Sequence, residues 1–169
     1  MRTISRRKFL GLTALALPAA LGADSAALET TRLRVTKLQQ GSGNCRLVHF
    51  SDFHYRGDAD YASDVVRTIN ELAPDSVCFT GDLVEEAQYA PGAFEFIRQI
   101  KAPVYGAPGN HDVHCGVPFS DFSTAFAATG GAWLADRSEF LPEHDLEIVG
   151  FGRRSVHAFT EPRGGRQIL

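Results

Sequence analysis

The chain has 169 residues, a formal net charge of −3 and a hydrophobic fraction of 44%. This is enough for one globular domain with a real core, and the composition excludes a disordered or fibrous protein. The three cysteines show no C-x-x-C spacing, and their odd number leaves at least one unpaired within the chain. The fold is therefore not expected to depend on disulfides.

The N-terminus has the layout of a secretory signal. Arg6 and Arg7 stand in front of an apolar run that extends to Leu21, and small residues follow at 22–27. The arginine pair resembles a twin-arginine export signal. The run is shorter than the ~20 residues that a membrane-spanning helix needs, which argues against an uncleaved anchor. We therefore expect residues 1–23 to be a signal peptide.

An export signal implies a periplasmic or exported protein, with the twin-arginine machinery as a partner. An uncleaved signal would instead leave the protein attached to the membrane. Cleavage before Asp24 removes four basic residues and no acidic one, so the formal net charge changes from −3 to −7. A domain this acidic is poorly suited to holding a phosphate backbone by charge, so nucleic-acid binding is not expected. Residues 24–43 read as a polar linker and 44–169 as the domain.

Apolar patterns within the domain predict strands alternating with helices. The predicted strands cover residues 45–50, 76–80, 104–107 and, most clearly in the last part of the chain, 146–150. The predicted helices cover residues 61–72, 91–100 and 119–127, the first ended by Pro74 and the last stopping before Gly130. Cys78 lies within an apolar strand and is expected to be a small buried side chain. The alternation indicates an α/β domain with a largely parallel sheet.

A polar motif follows each of the first three predicted strands. Asp52 and His54 come after the first, Asp82 after the second, and residues 109–112 after the third. Ligands gather at the carboxyl ends of parallel strands, so these motifs are expected to converge. Carboxylate, imidazole and amide groups together suit divalent ions such as Mn, Fe and Zn. The sequence therefore predicts one metal site at this end of the sheet.

The spacing also suggests how two ions would be held. Residues two apart on extended chain project the same way, so Asp52 and His54 could clamp one ion, while the two oxygens of Asp82 could bridge two ions. Ions about 3.5–4 Å apart polarise a phosphoryl oxygen and activate water for in-line attack. Gly81 and Gly109 would permit close backbone approach or a positive φ.

Four segments together resemble the calcineurin-like metallophosphoesterases: residues 51–54, 74–75, 80–84 and 108–112, within a match over roughly 45–152. With its leader, the chain looks most like the bacterial exported, single-domain branch of that family. The resemblance implies a four-layer α/β/β/α sandwich and two divalent metal ions. It also implies hydrolysis of phosphomonoester or phosphodiester bonds in a small molecule or lipid.

The resemblance carries roles to particular residues. Asp52 and His54 would bind the first ion, Asp82 would bridge, and Asn110 would bind the second ion. His111 would stabilise the transferring phosphoryl group or protonate the leaving oxygen.

By the same resemblance, Asp112 would orient His111, as a carboxylate commonly does for a histidine.

The sequence departs from the family pattern after the third motif. Family members continue with a lone metal-binding histidine and a Gly-His-x-His motif, and neither is found up to Leu169. His144 and His157 lack that context and are interpreted as exposed loop residues. Two hypotheses remain open: the amino-terminal part of a metal-dependent phosphoesterase whose C-terminal part is missing, or a degenerate member that binds a phosphate ligand, a metal or a partner without turnover.

Overall fold

The computed structural model describes residues 33–40, 45–152 and 166–168. The predicted signal peptide, most of the linker and His157 lie outside these residues. The chain divides into two compact units, Met1–Gln39 and Gln40–Leu169. Residues 33–39 of the first unit form neither helix nor strand. A search of the described helices finds none with the length and apolar character needed to cross a membrane.

The second unit is built on a parallel sheet of four strands in the order β1-β2-β3-β4. The strands are β1 (Leu47–Phe50), β2 (Ser76–Phe79), β3 (Val104–Gly106) and β4 (Ala132–Trp133). The helices between them are α1 (Ala59–Leu72), α2 (Ala90–Arg98), α3 (Asn110–His114) and α4 (Phe119–Ala127). Right-handed crossovers between strands in sequence order place the connecting helices on one face of the sheet. Contacts of α1 with α2 and of α2 with α4 agree with this arrangement.

Helix α1 shows how the local sequence sets an element. Its buried residues recur at helical spacing and are Ala62, Val65, Val66 and Ile69. The Asp58 carboxylate accepts a hydrogen bond from the Tyr61 amide at 3.0 Å and caps the first turn. Ala73 adopts a left-handed conformation just before Pro74, which ends the helix. The helix predicted at 61–72 is thus confirmed, with two more residues at its start.

Aromatic side chains fill the layer between the helices and the parallel sheet. The Phe79 ring lies 5.9 Å from that of Phe126, and the Phe122 ring stacks 4.7 Å from that of Trp133. A Cβ at Gly106 would collide with the Phe126 ring, so glycine lets α4 pack directly on β3. This packing anchors the sheet whose strand ends carry the polar motifs.

A second sheet packs on the other face. It contains β5 (Arg137–Leu141), β6 (Leu146–Gly150) and β7 (Arg166–Ile168), with β5 antiparallel and β7 parallel to β6. One buried cluster joins residues of both sheets: Cys78, Tyr105, Leu134, Leu141, Leu146 and Ile148. The α/β class with a parallel sheet is confirmed. The described residues supply a helical layer and two sheets of the expected α/β/β/α sandwich.

Candidate metal centre

The three polar motifs follow adjacent parallel strands, as predicted, and backbone hydrogen bonds tie them together. The Asp52 amide donates to the Gly81 carbonyl at 3.0 Å, and the His54 amide donates to the Asp82 carbonyl at 2.9 Å. These bonds continue the pairing of β1 with β2 beyond the strands themselves. The loops that carry the candidate ligands therefore form one connected surface.

Three of the predicted ligands converge. Nε2 of His54 lies 3.8 Å from Oδ1 of Asp52 and 3.8 Å from Oδ2 of Asp82. The exposed fraction of the side chain falls from 68% in Asp52 to 32% in His54 and 13% in Asp82. The group therefore opens to solvent at Asp52 and is anchored in the protein at Asp82. One nitrogen and two carboxylate oxygens face a common point.

The backbone at these ligands is unusual. The φ angles are +53° at Asp52, +41° at His54 and +61° at Asp82, a left-handed region that residues with a side chain seldom adopt. The extended conformation predicted for Asp52 and His54 is therefore wrong, and a left-handed conformation at each of the two residues directs its side chain instead. Such conformations cluster at functional sites, where surrounding hydrogen bonds hold them in place.

Two glycines permit the close approach of the second and third motifs. Gly81 has a φ of +103°, and a Cβ there would collide with the backbone of Gly109. A Cβ at Gly109 would in turn collide with the carboxylate of Asp82. Neither position has room for a Cβ atom, and the positive φ at Gly81 is a second reason for glycine there.

The sequence analysis missed Glu85. Its Oε2 lies 2.8 Å from Nδ1 of His54, and its Oε1 lies 2.9 Å from the guanidinium of Arg56. The bond to His54, supported by Arg56, lowers the pKa of the Glu85 carboxyl group. An ionised Glu85 accepts a hydrogen bond from Nδ1–H of His54, so that the Nε2 lone pair faces Asp52 and Asp82. The sequence carried no distinguishing signal, because Glu86 follows directly.

The third motif forms the short helix α3, which was not predicted. Asn110 begins this helix and is exposed. The amide of His111 donates to Oδ1 of Asp82 at 2.8 Å. The His111 ring lies edge-on to the His54 ring at 4.7 Å, and its Nδ1 is 3.6 Å from Oε2 of Glu85. His111 therefore borders the ligand group, and Asn110 is its immediate neighbour in the chain.

The contacts of Asp112 differ from the expected role. Its carboxylate is buried and accepts three backbone hydrogen bonds, from Leu83 at 2.9 Å, Asp82 at 2.7 Å and Gly109 at 2.9 Å. Successive residues of a helix point in different directions, so Asp112 turns inward while the His111 ring meets Glu85. Burial raises the pKa of Asp112, and the three amides oppose that shift. Asp112 thus joins the second motif to the third and does not orient the His111 ring through these bonds.

Comparisons with known proteins show similarity to one family of phosphoesterases. The family model for calcineurin-like phosphoesterases matches residues 45–165. The uncharacterized metallophosphoesterase YkuE of Bacillus subtilis (strain 168) is 31% identical over 156 residues, which cover 77% of this chain and 52% of that protein. The chain therefore spans about half the length of this relative.

The solved structures that match part of this chain share little sequence with it. TT1561 of Thermus thermophilus has 15% identity and a TM-score of 0.49, and the match covers 73% of this chain and 57% of that one. AQ665 from Aquifex aeolicus, described as a protein of unknown function, has 8% identity and a TM-score of 0.41, with 63% and 60% covered. On the match of the family model and the identity with YkuE, this chain belongs to the calcineurin-like phosphoesterase family.

Proposed function

We propose that this chain carries the metal-binding part of a metal-dependent phosphoesterase, which hydrolyses phosphomonoester or phosphodiester bonds through a dinuclear centre. The observation that carries the proposal is the position of His54 Nε2, 3.8 Å from a carboxylate oxygen of Asp52 and 3.8 Å from one of Asp82. The family to which the chain belongs uses divalent metals.

The donor set fits a divalent cation. The carboxylates of Asp52, Asp82 and Glu85 crowd around two imidazoles, and Arg56 pairs with Glu85 from the exposed side. Carboxylates brought together repel one another, and a cation between them relieves that repulsion. Oxygen donors with one imidazole nitrogen suit Mn, Fe or Zn. Asp52, His54 and Asp82 would hold the first ion.

The two oxygens of Asp82 support its role as the bridging residue. Oδ2 faces His54 Nε2, whereas Oδ1 accepts a hydrogen bond from the backbone amide of His111, on the side where α3 begins. A second ion would lie on that side, with Asn110 as its further ligand from this chain. Bound divalent ions stabilise negative charge on phosphoryl oxygens and lower the pKa of water.

His111 is the proposed acid. Its side chain is 36% exposed, so the ring can reach a substrate at the rim while Nδ1 stays near Glu85. A histidine in this place can donate a proton to the leaving oxygen or stabilise the charge on the phosphoryl group. The hydrogen bond that its backbone amide donates to Asp82 couples the position of His111 to the bridging carboxylate.

Location and substrate remain part of the proposal. We propose a periplasmic or exported protein on the strength of Arg6, Arg7 and the apolar run after them. The substrate class is a phosphate ester of a small molecule or a lipid. The acidic charge of the domain disfavours nucleic acid as a binding partner.

The test is metal content together with Mn²⁺-dependent hydrolysis of bis(p-nitrophenyl) phosphate and p-nitrophenyl phosphate by the purified chain. Two ions per chain with turnover support the proposal. The variant that tests the bridging carboxylate is Asp82→Asn. Asparagine tolerates a positive φ and keeps one oxygen to accept the hydrogen bond from the His111 amide. Activity that survives this substitution would overturn the dinuclear proposal. Ions bound without turnover would favour the degenerate, non-catalytic member.

A further inference from the structure

A second group of metal-ligating side chains lies at the opposite end of the sheet. Cys45 stands two residues before β1, and Asp75 stands directly before β2. His144 ends a 3-10 turn, Pro142–His144, between β5 and β6. The candidate metal centre follows the carboxyl ends of the parallel strands, whereas this group precedes their amino ends. The two groups share no residue.

The three side chains are close enough to share one ion. One atom from each, the sulfur of Cys45, a carboxylate oxygen of Asp75 and a ring nitrogen of His144, all lie within 4.8 Å of one another. Nδ1 of His144 is buried and has no hydrogen-bond partner among the residues that the structure describes. Buried ring nitrogens are normally paired, so this one lacks the partner that its environment calls for.

The carboxylate of the group is held in place by the backbone. Oδ2 of Asp75 accepts the Arg46 amide at 2.6 Å, and the Asp75 amide donates to the Arg46 carbonyl at 2.9 Å. The Arg46 guanidinium donates to the Leu72 carbonyl at 2.8 Å, at the end of α1. Asp75 is exposed, which gives an ion a route from solvent. The carboxylate of Asp75 is therefore positioned beforehand and is accessible to an ion, as a metal ligand requires.

We propose that Cys45, Asp75 and His144 bind one Zn²⁺ ion, with water at the remaining position. A sulfur, an imidazole nitrogen and a carboxylate oxygen are the donors that Zn²⁺ takes in proteins. Binding releases the proton of the Cys45 thiol to solvent and forms the bond from sulfur to zinc. Cys45 and Asp75 lie at the amino ends of β1 and β2, and His144 lies in the turn between β5 and β6 of the second sheet. The ion would therefore link the two sheets and stabilise the domain.

Co²⁺ distinguishes this site from the other. A thiolate ligand gives bound Co²⁺ an intense near-ultraviolet charge-transfer band, and the centre of Asp52, His54 and Asp82 contains no sulfur. Titration of the metal-free 169-residue chain with Co²⁺ should produce this band, and Zn²⁺ should remove it by displacement. The band should persist in Asp82→Asn and in Cys115→Ala and vanish in Cys45→Ala. Absence of the band in the wild-type chain, or its survival in Cys45→Ala, would overturn the proposal.

Two further variants decide the question should Cys45→Ala fail to fold. His144→Ala should weaken Co²⁺ binding by at least about 10-fold, since it removes one of three protein ligands. Asp75→Asn keeps an oxygen for the Arg46 amide but loses the negative charge, so a weaker band is expected at equal Co²⁺. Zn²⁺ should also raise the Tm of the wild-type chain more than that of His144→Ala, in which only the centre of Asp52, His54 and Asp82 remains, and it should still raise the Tm of Asp82→Asn. An equal rise in all three would overturn the link between the sheets.

Discussion

The carboxylate of Glu85 lies 2.8 Å from Nδ1 of His54, and this contact leaves Nε2 as the ring nitrogen available to a ligand. With Nδ1 engaged, Nε2 points between Asp52 and Asp82, 3.8 Å from an oxygen of each. Arg56 holds the other oxygen of Glu85 at 2.9 Å and keeps the carboxylate in place. A carboxylate behind a metal-binding histidine fixes its tautomer and orientation.

Glu85→Ala should weaken binding of the first divalent ion by about 10–100-fold, because the His54 ring loses its orienting partner. Glu85→Gln should recover part of the loss, since the amide oxygen can still accept from Nδ1. Glu86→Ala is the matched control on the next residue. Isothermal titration with Mn²⁺ measures the affinities. Equal affinity in wild type and Glu85→Ala would remove Glu85 from the site.

His111→Ala should lower the turnover of bis(p-nitrophenyl) phosphate by about 10²–10⁴-fold, the range for loss of a general acid. Metal content should stay near that of the wild type, because the ligand contacts of Asp52, His54 and Asp82 do not use this ring. His114→Ala, on the same helix but exposed, should leave turnover unchanged. Loss of bound metal in His111→Ala would show that the ring is a ligand and not the acid.

Asp112→Asn should destabilise the domain by about 2 kcal/mol, because an amide nitrogen replaces an oxygen that accepts a buried backbone amide. The new side-chain NH₂ group then faces the backbone N–H of Leu83 or of Gly109, and both groups are donors. Urea unfolding followed by circular dichroism gives the free energy of unfolding. Asp121→Asn, on exposed α4 surface, is the control. An unchanged midpoint for Asp112→Asn would contradict the structural role assigned to this carboxylate.

The pH dependence of stability should report on Cys78. Burial, with a smaller effect from Cys45, raises the pKa of this thiol from its ordinary value of 9.0 to about 11. The folded state therefore binds the proton more tightly than the unfolded state. The associated stability is present below about pH 9 and is lost as the pH rises toward about 11.

The size of this effect is about 2–3 kcal/mol, at about 1.36 kcal/mol for each pKa unit. Cys78→Ala should lack this part of the decline, although the smaller side chain lowers its stability at every pH. The pKa of Tyr105 is raised first by burial and also by neighbours that include Cys78, so its contribution is present in both proteins but cancels only in part. Parallel stability curves for the two proteins above about pH 9 would contradict a buried, neutral Cys78.

Replacement of Arg6 and Arg7 by lysine should block export through the twin-arginine pathway while keeping the charge of the leader. The unprocessed chain should then accumulate in the cytoplasm, as fractionation and immunoblotting would show. Arg2→Lys, outside the arginine pair, is the matched control and should still be exported. Equal export of both variants would rule out the twin-arginine assignment.

Local patterns identified most of the framework. The helix predicted to begin near Phe119 and to stop at Gly130 is found at Phe119–Ala127, and the first three strands lie where the sequence has apolar runs. Burial of one face of a helix, or of a whole strand, requires apolar residues at a regular spacing, and this spacing is visible in the sequence. The helix α3 was not predicted, because the five residues of Asn110–His114 are too few for a helical pattern.

The sequence by itself determined that polar motifs follow three strands, and so that Asp52, His54 and Asp82 would come together. Only the tertiary structure decided how they meet. The positive φ angles at all three, the contact of Glu85 with His54, and the inward turn of Asp112 depend on hydrogen bonds between loops about 30 residues apart. Such bonds form only once the parallel strands have paired, and no local pattern records them, since each partner alone is an ordinary polar residue in a loop.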